Sequence, residues 1–185
     1  DETITISDTS INATDLNTLD INTTGMINAH TLTSITGTPT EINTAYSSNG
    51  ISGLGDETTI VNNVTIEDAV VSAIYLNELD ESTSSTIGAS SVTTITGTST
   101  EINTTYASNG LSELGNEAIT ISDTSINAAN LNILDSNTTG SINAGALISI
   151  TGTANEINTT YASNGLSELG NEVITISDTS INAAD

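Results

Sequence analysis

The chain has 185 residues, with 23 Asp and Glu, one His and neither Lys nor Arg, and so a formal charge of -23 at pH 7. A surface without guanidinium or ammonium groups cannot neutralise phosphate, which argues against nucleic acid and anionic lipid as partners and removes the usual clamps of enzyme sites. The absence of Cys removes disulfide frameworks and thiolate metal sites, and no apolar run approaches the roughly 18 residues of a membrane span.

In chain order, Thr3-Ile4-Thr5-Ile6 alternates as a half-buried strand does. Asn12, with Asp15 three residues on and Leu16 and Leu19 behind it, predicts a capped helix ending at Thr23-Thr24-Gly25. The stretch from Ile35 then reads I-T-G-T-P-T-E-I-N-T-A-Y-S-S-N-G-I-S-G-L-G. Its Thr38-Pro39-Thr40-Glu41 is a capping box with Pro at the first helical position. Ile42, Ala45 and Tyr46 share one helix face, and Asn49-Gly50 predicts a left-handed stop. Further on, Leu147-Ile148-Ser149-Ile150 predicts a strand, as do Ile119-Thr120-Ile121 and Ile174-Thr175-Ile176.

The Ile35 stretch returns from Ile95 and from Ile150, and the opening of the chain returns from Asn116 and from Asn171. Units therefore run 1–55, 56–115, 116–170 and 171–185, the second lengthened by five residues after Asp56 and the last incomplete. Disorder is a poor account of a chain with 35 % hydrophobic residues at fixed repeat positions. Each unit divides again at Asn17 and Asn43, Asn77 and Asn103, and Asn132 and Asn158, which predicts two coils of about 27 residues per unit. One strand and one short helix per coil cannot bury a core alone. The expected fold is a repeat solenoid of stacked parallel strands with short helices, continuous over all four units.

The pattern S-D-T-S-I-N-A-A-D-L-N-x-L-D-x-N-T-T-G, followed by T-G-T-A-x-E-I-N-T-x-Y-A-S-N-G-L-S-E-L-G, resembles tandem repeats of giant secreted cell-surface and adhesin-type proteins of cyanobacteria and other aquatic bacteria. The resemblance implies an extracellular or cell-surface location and a role in a surface layer, adhesion, motility or a filament. The calcium-binding G-G-x-G-x-D nonapeptides of such proteins are absent, so no functional residue is carried over.

The expected function is structural: a segment of an extracellular fibre, stalk or filament, not an enzyme, whose partners are further copies of the same repeat in cis or end to end. The alternative is an adhesin module that binds calcium or glycan. Asn17, Asn43, Asn77, Asn103, Asn132 and Asn158 are the expected structural ladder, amides that bond along the stack and satisfy backbone groups at each turn. N-x-[ST] sequons at Asn12, Asn22, Asn63, Asn103, Asn137 and Asn158 are candidate N-glycosylation sites, with Asn22, Asn63 and Asn137 expected to be exposed. Asp8, Asp123 and Asp178, and Asp20, Asp80 and Asp135, recur once per unit as possible Ca²⁺ ligands, although a solvated acidic face explains them as well. Tyr46, Tyr106 and Tyr161 read as the edge of the core, His30 as a surface residue, and the T-x-T pairs at Thr3, Thr36, Thr96 and Thr151 as strand threonines rather than a water-ordering array.

Overall fold

The computed structural model describes residues 2–54 and 63–180. In chain order these form β1 (Ile4–Thr5), β2 (Ser10–Asn12), α1 (Ala13–Asn22), β3 (Ile27–Asn28), β4 (Ser34–Gly37), α2 (Pro39–Ser47), β5 (Ile51–Ser52), β6 (Asn63–Ile66), β7 (Val70–Ser72), α3 (Ala73–Ser82), β8 (Ile87–Gly88), β9 (Thr94–Gly97), α4 (Ser99–Ala107), β10 (Leu111–Ser112), β11 (Ala118–Ile121), β12 (Ser125–Asn127), α5 (Ala128–Asn137), β13 (Ile142–Asn143), β14 (Ser149–Gly152), α6 (Ala154–Ala162), β15 (Leu166–Ser167) and β16 (Val173–Ile176). The insertion that lengthens the second repeat falls largely on residues outside the described ones.

The chain divides into two compact units, Asp1–Val92 with Ser108–Glu113, and Thr93–Ala107 with Leu114–Asp185. In the first, β1, β3 and β5 form one parallel sheet and β2, β4, β6, β8 and β10 another, in those orders. In the second, β9, β11, β13 and β15 pair in that order, and β12, β14 and β16 form a separate sheet, again all parallel. The fold is α/β with parallel strands linked through short helices.

Sequence reasoning expected one strand per coil, whereas two or three strands precede each described helix. Several are only two or three residues long, as at Ile27–Asn28 and Ser10–Asn12. The registers explain the repeat length: Ile119 to Ile126 is 7 residues along the chain, Ile126 pairs Ile150 after 24, and Ile150 pairs Ile174 after another 24, which sum to 55. The expected coil of about 27 averages helix spacings of 26, from Ala128 to Ala154, and 29, from Ser99 to Ala128.

The core is made by register. Ile35 and Ile87 lie in one ladder of the first unit, Ile119, Ile142 and Ile95 in one ladder of the second, and all five are buried. Each fully buried Ile contributes roughly 1.5–3 kcal/mol. Helices close the turns with apolar residues three apart: Ala73, Leu76 and Leu79 in α3, and Ala128, Leu131 and Leu134 in α5.

Helix starts follow the sequence reading. Thr38 accepts from Glu41 N while Glu41 accepts from Thr38 N, and Thr153 with Glu156 repeats the box. Asn12 and Asn127 cap α1 and α5 through their side-chain oxygens. The expected left-handed stop at Asn49-Gly50 is not what ends α2. Ser48 is extended, with φ -71° and ψ 132°, and Gly50 is required for a different reason given below.

Candidate functional site

The ladder asparagines sit at the fifth position of each of the six helices among the described residues. Asn17 Nδ2 donates to the carbonyl of Glu41 at 2.9 Å, Asn43 to that of Tyr75 at 3.2 Å, Asn103 to that of Asn130 at 3.3 Å and Asn132 to that of Glu156 at 3.0 Å. Each therefore ties its helix to the first turn of the next one. These four amide nitrogens bond to main-chain carbonyls and not to one another. The amide oxygens are less uniform. Asn132 Oδ1 accepts from Thr160 at 2.8 Å and Asn103 Oδ1 from Asn137 at 3.2 Å, whereas Asn43 Oδ1 is buried without a partner.

The recurring acids are hydrogen-bond acceptors. Asp20, Asp80 and Asp135 each accept from a serine hydroxyl, Ser48, Ser108 and Ser163, at 2.7 Å in every case. Each of those serines in turn accepts from the N–H of Gly50, Gly110 or Gly165 at 2.9 Å. A Cβ on any of these glycines would collide with Oδ1 of the same Asp, so the Asn-Gly pair is dictated by a contact with the preceding helix rather than by a left-handed turn.

Asp123 and Asp178 do a second job. Asp123 Oδ2 accepts from Ser99 N at 2.6 Å, and Asp178 Oδ2 from Ala154 N at 2.6 Å. Both thus satisfy a helix N-terminal donor from the following turn, where negative charge also complements the dipole. At the matching place in the first repeat stands Pro39, which has no N–H to give. Asp8 is exposed. Among the described residues no three His, Asp or Glu side chains converge as a metal-ligand group.

The tyrosines at the helix ends are anchored through their hydroxyls. Tyr106 donates to Glu117 Oε2 at 2.8 Å and Tyr161 to Glu172 Oε2 at 2.7 Å, and each carboxylate oxygen also accepts a glycine N–H two residues before it. Tyr46 reaches Thr83 Oγ1 at 3.5 Å. Burial, reinforced by the Glu172 carboxylate, pushes the Tyr161 hydroxyl up to about 12, and the same causes with Glu117 raise Tyr106 further. Burial alone would raise Glu172, but hydrogen bonds from Tyr161 and from the N–H groups of Gly170, Glu172 and Asn171 outweigh it and hold the carboxyl below its usual range. Glu117 is only 1 % exposed, and its Oε1 has no partner.

The sequons divide by exposure. Asn22, at the end of α1, and Asn158, on α6, are exposed. Asn137, expected to be exposed, is half-buried with its amide on Asn103, and Asn103 and Asn12 are half-buried and bonded as well. The side chain of Asn63 lies outside the described part of the structure, although its backbone opens β6. His30 is exposed and bonds to Asn28. The second threonines of three T-x-T pairs, Thr38, Thr98 and Thr153, cap helices, so they form no flat threonine array with Thr36, Thr96 and Thr151.

Between α2 and α3 lies an open groove of about 540 Å³, lined by Thr40, Asn43 and Thr44 on one side and Tyr75, Glu78 and Glu81 on the other. A smaller groove of about 330 Å³ occupies the equivalent place between α4 and α5, where Asn130 and Ile133 stand for Tyr75 and Glu78. Tyr75 is 44 % exposed and was not singled out in the sequence, because it belongs to the divergent opening of one repeat only. No helix among the described residues is long and apolar enough to cross a membrane. Compared with protein-family models, with curated proteins and with solved structures, the chain matches none.

Proposed function

We propose that this chain is a structural segment of an extracellular or cell-surface fibre, stalk or filament, glycosylated and non-catalytic, in which the repeats form one continuous solenoid whose length scales with repeat number. The observation that carries the reading is where the recurring polar side chains go. Asn17, Asn43, Asn103 and Asn132 bond to the next helix, Asp20, Asp80 and Asp135 to the serine one turn on, and Asp123 and Asp178 to the helix before them. A binding or catalytic repeat would aim such groups at a shared ligand; here they are consumed in holding one turn to the next. The resemblance to secreted surface repeats agrees with this role. Small-angle scattering and negative-stain microscopy should find an elongated particle, and a compact globule would overturn the proposal.

A second reading, an adhesin module that binds glycan, is favoured by the α2–α3 groove. Tyr75 offers an exposed ring, and Glu78 and Glu81 offer acceptors for sugar hydroxyls. A glycan array separates the two, since saturable binding lost in Tyr75→Ala supports the adhesin. Calcium enters this reading only in competition with the serine and backbone donors that already occupy the recurring aspartates. Calorimetry with Ca²⁺ tests that competition.

A further inference from the structure

Gly50, Gly110 and Gly165 each follow an asparagine, and Asn49-Gly50, Asn109-Gly110 and Asn164-Gly165 are all the Asn-Gly pairs of the chain. The three asparagines are exposed and the three glycines half-buried. Asn-Gly is the dipeptide best suited to spontaneous deamidation, because glycine has no Cβ to obstruct attack by its nitrogen on the preceding side-chain amide. In that reaction the glycine nitrogen gives up its proton and attacks the asparagine Cγ. The new N–Cγ bond closes a succinimide ring, the Cγ–Nδ2 bond breaks, and the amide leaves as ammonia with the released proton. Water then opens the ring to aspartate or to isoaspartate, whose main chain runs through the former side chain.

In all three pairs the attacking nitrogen is held. Gly50 N donates to Ser48 Oγ at 2.9 Å, and Ser48 Oγ donates its own proton to Asp20 Oδ2 at 2.7 Å. Gly110 with Ser108 and Asp80, and Gly165 with Ser163 and Asp135, repeat both bonds at the same two distances. Each Asp lies 28 residues before its serine, on the preceding helix, so the relay crosses from one turn of the chain to the next. A nitrogen whose N–H is committed to an acceptor is neither free to lose its proton nor free to turn toward Cγ. Passing that proton along the relay requires the carboxylate to deprotonate an amide, a far weaker acid than a carboxylic acid, so the relay retains the proton.

We propose that Asn49, Asn109 and Asn164 are deamidation sites latched by the Asp–Ser–Gly relay. The reaction is suppressed while adjacent helices stay docked and begins where Asp20, Asp80 or Asp135 loses its serine. The product then opposes reclosure. Each event adds a carboxylate beside a glycine whose α-carbon already faces Oδ1 of the same Asp too closely to admit a Cβ, and isoaspartate lengthens the main chain there. Deamidation thus records, irreversibly, where one turn of the chain has parted from the next. The relay is complete within each such contact and does not depend on the repeats forming a fibre.

Full-length Ser48→Ala and Asp20→Ala test it, each incubated beside wild type in mildly alkaline buffer. Mass and isoaspartate content are read after cleavage at glutamate, which puts Asn49 and Asn109 on different peptides. In both variants Asn49 should deamidate about tenfold faster than in wild type, the factor carried by one hydrogen bond backed by a carboxylate, while Asn109 keeps its wild-type rate. Ser108→Ala should exchange the roles of the two sites. Equal acceleration at Asn49 and Asn109 in Ser48→Ala overturns the proposal, because the fold as a whole then protects. Wild type that deamidates at Asn49 as fast as the urea-unfolded chain overturns it too. So does a slower Asn49 in Ser48→Ala, which makes the relay a base, and so does an unchanged Asn49 in Asp20→Ala, since the serine alone then protects and no contact between turns is involved.

Discussion

Asn43 and Asn103 hold the same helix position and differ in one partner. Asn137 supplies the amide that Asn103 Oδ1 accepts, while Ser82 stands at the equivalent place after Asn43 and spends its hydroxyl on the carbonyl of Glu78. A buried carbonyl oxygen without a donor is costly, so Ser82→Asn should stabilise the protein by about 1 kcal/mol in urea denaturation. Asn43→Ala in the Ser82→Asn background should remove that gain. Glu41 offers a second residue-scale test, on charge. The Thr14 hydroxyl, 2.6 Å from its Oε1, and then the Thr38 N–H and hydroxyl hold its carboxyl below the usual range. A carboxyl depressed by folding stabilises the protein fully above its unfolded value, near pH 4.3, and that contribution fades as pH falls through the lower folded value. Thr14→Val should therefore raise the Glu41 pKa toward the ordinary range, read by carboxyl NMR titration, and diminish the loss of stability that accompanies its protonation. Such partners were beyond reach of the sequence. Thr38 and Glu41 are three residues apart and announce their capping box, but Thr14 and Glu41 are 27 apart and meet only once the turns are stacked.

At the scale of elements, the helix positions were legible wherever the signal was local. Asn12 and Thr38 marked their helix starts, and the apolar spacing marked the buried face. The two-residue strands such as Ile27–Asn28 and Ile51–Ser52 were not, since two residues are too few to show alternation. Asn49-Gly50 misled for a related reason: the pair carries the composition of a helix stop, yet Gly50 is fixed by Asp20 approaching from the helix before. The inter-turn cap of α4 gives an element-scale prediction with its own internal control. Asp123→Ala deprives Ser99 N of its acceptor and should cost about 1–2 kcal/mol. Asp68→Ala, at the equivalent place facing Pro39, removes no such bond because proline has no donor, and should change stability by less than about 0.5 kcal/mol. Thermal unfolding of the two variants side by side checks both, and equal losses would show that the aspartates act through charge alone.

For the molecule as a whole, the register arithmetic sets the smallest step by which the chain can grow. A repeat of 55 residues is two strand-to-strand steps of 24, Ile126 to Ile150 to Ile174, plus the 7 residues from Ile119 to Ile126 that carry the chain from an interior strand of one sheet to the first strand of the next. Growth by a half-unit satisfies the helix spacing and breaks the sheets, because a strand of the β11 kind must have a β9-type neighbour on one edge and a β13-type neighbour on the other. A second copy of residues 116–170 placed between Gly170 and Asn171 should therefore fold. Its urea m-value should rise by about a third if unfolding stays cooperative, since m follows the surface exposed and the chain is longer by 55 in 185. A second copy of residues 128–153 alone, which adds one helix and its strands, leaves the following β16 without its proper edge and should lower the midpoint instead. If the short insertion were tolerated as well as the long one, the single coil would be the folding unit, and the interleaving of neighbouring repeats in one sheet would carry no energetic weight.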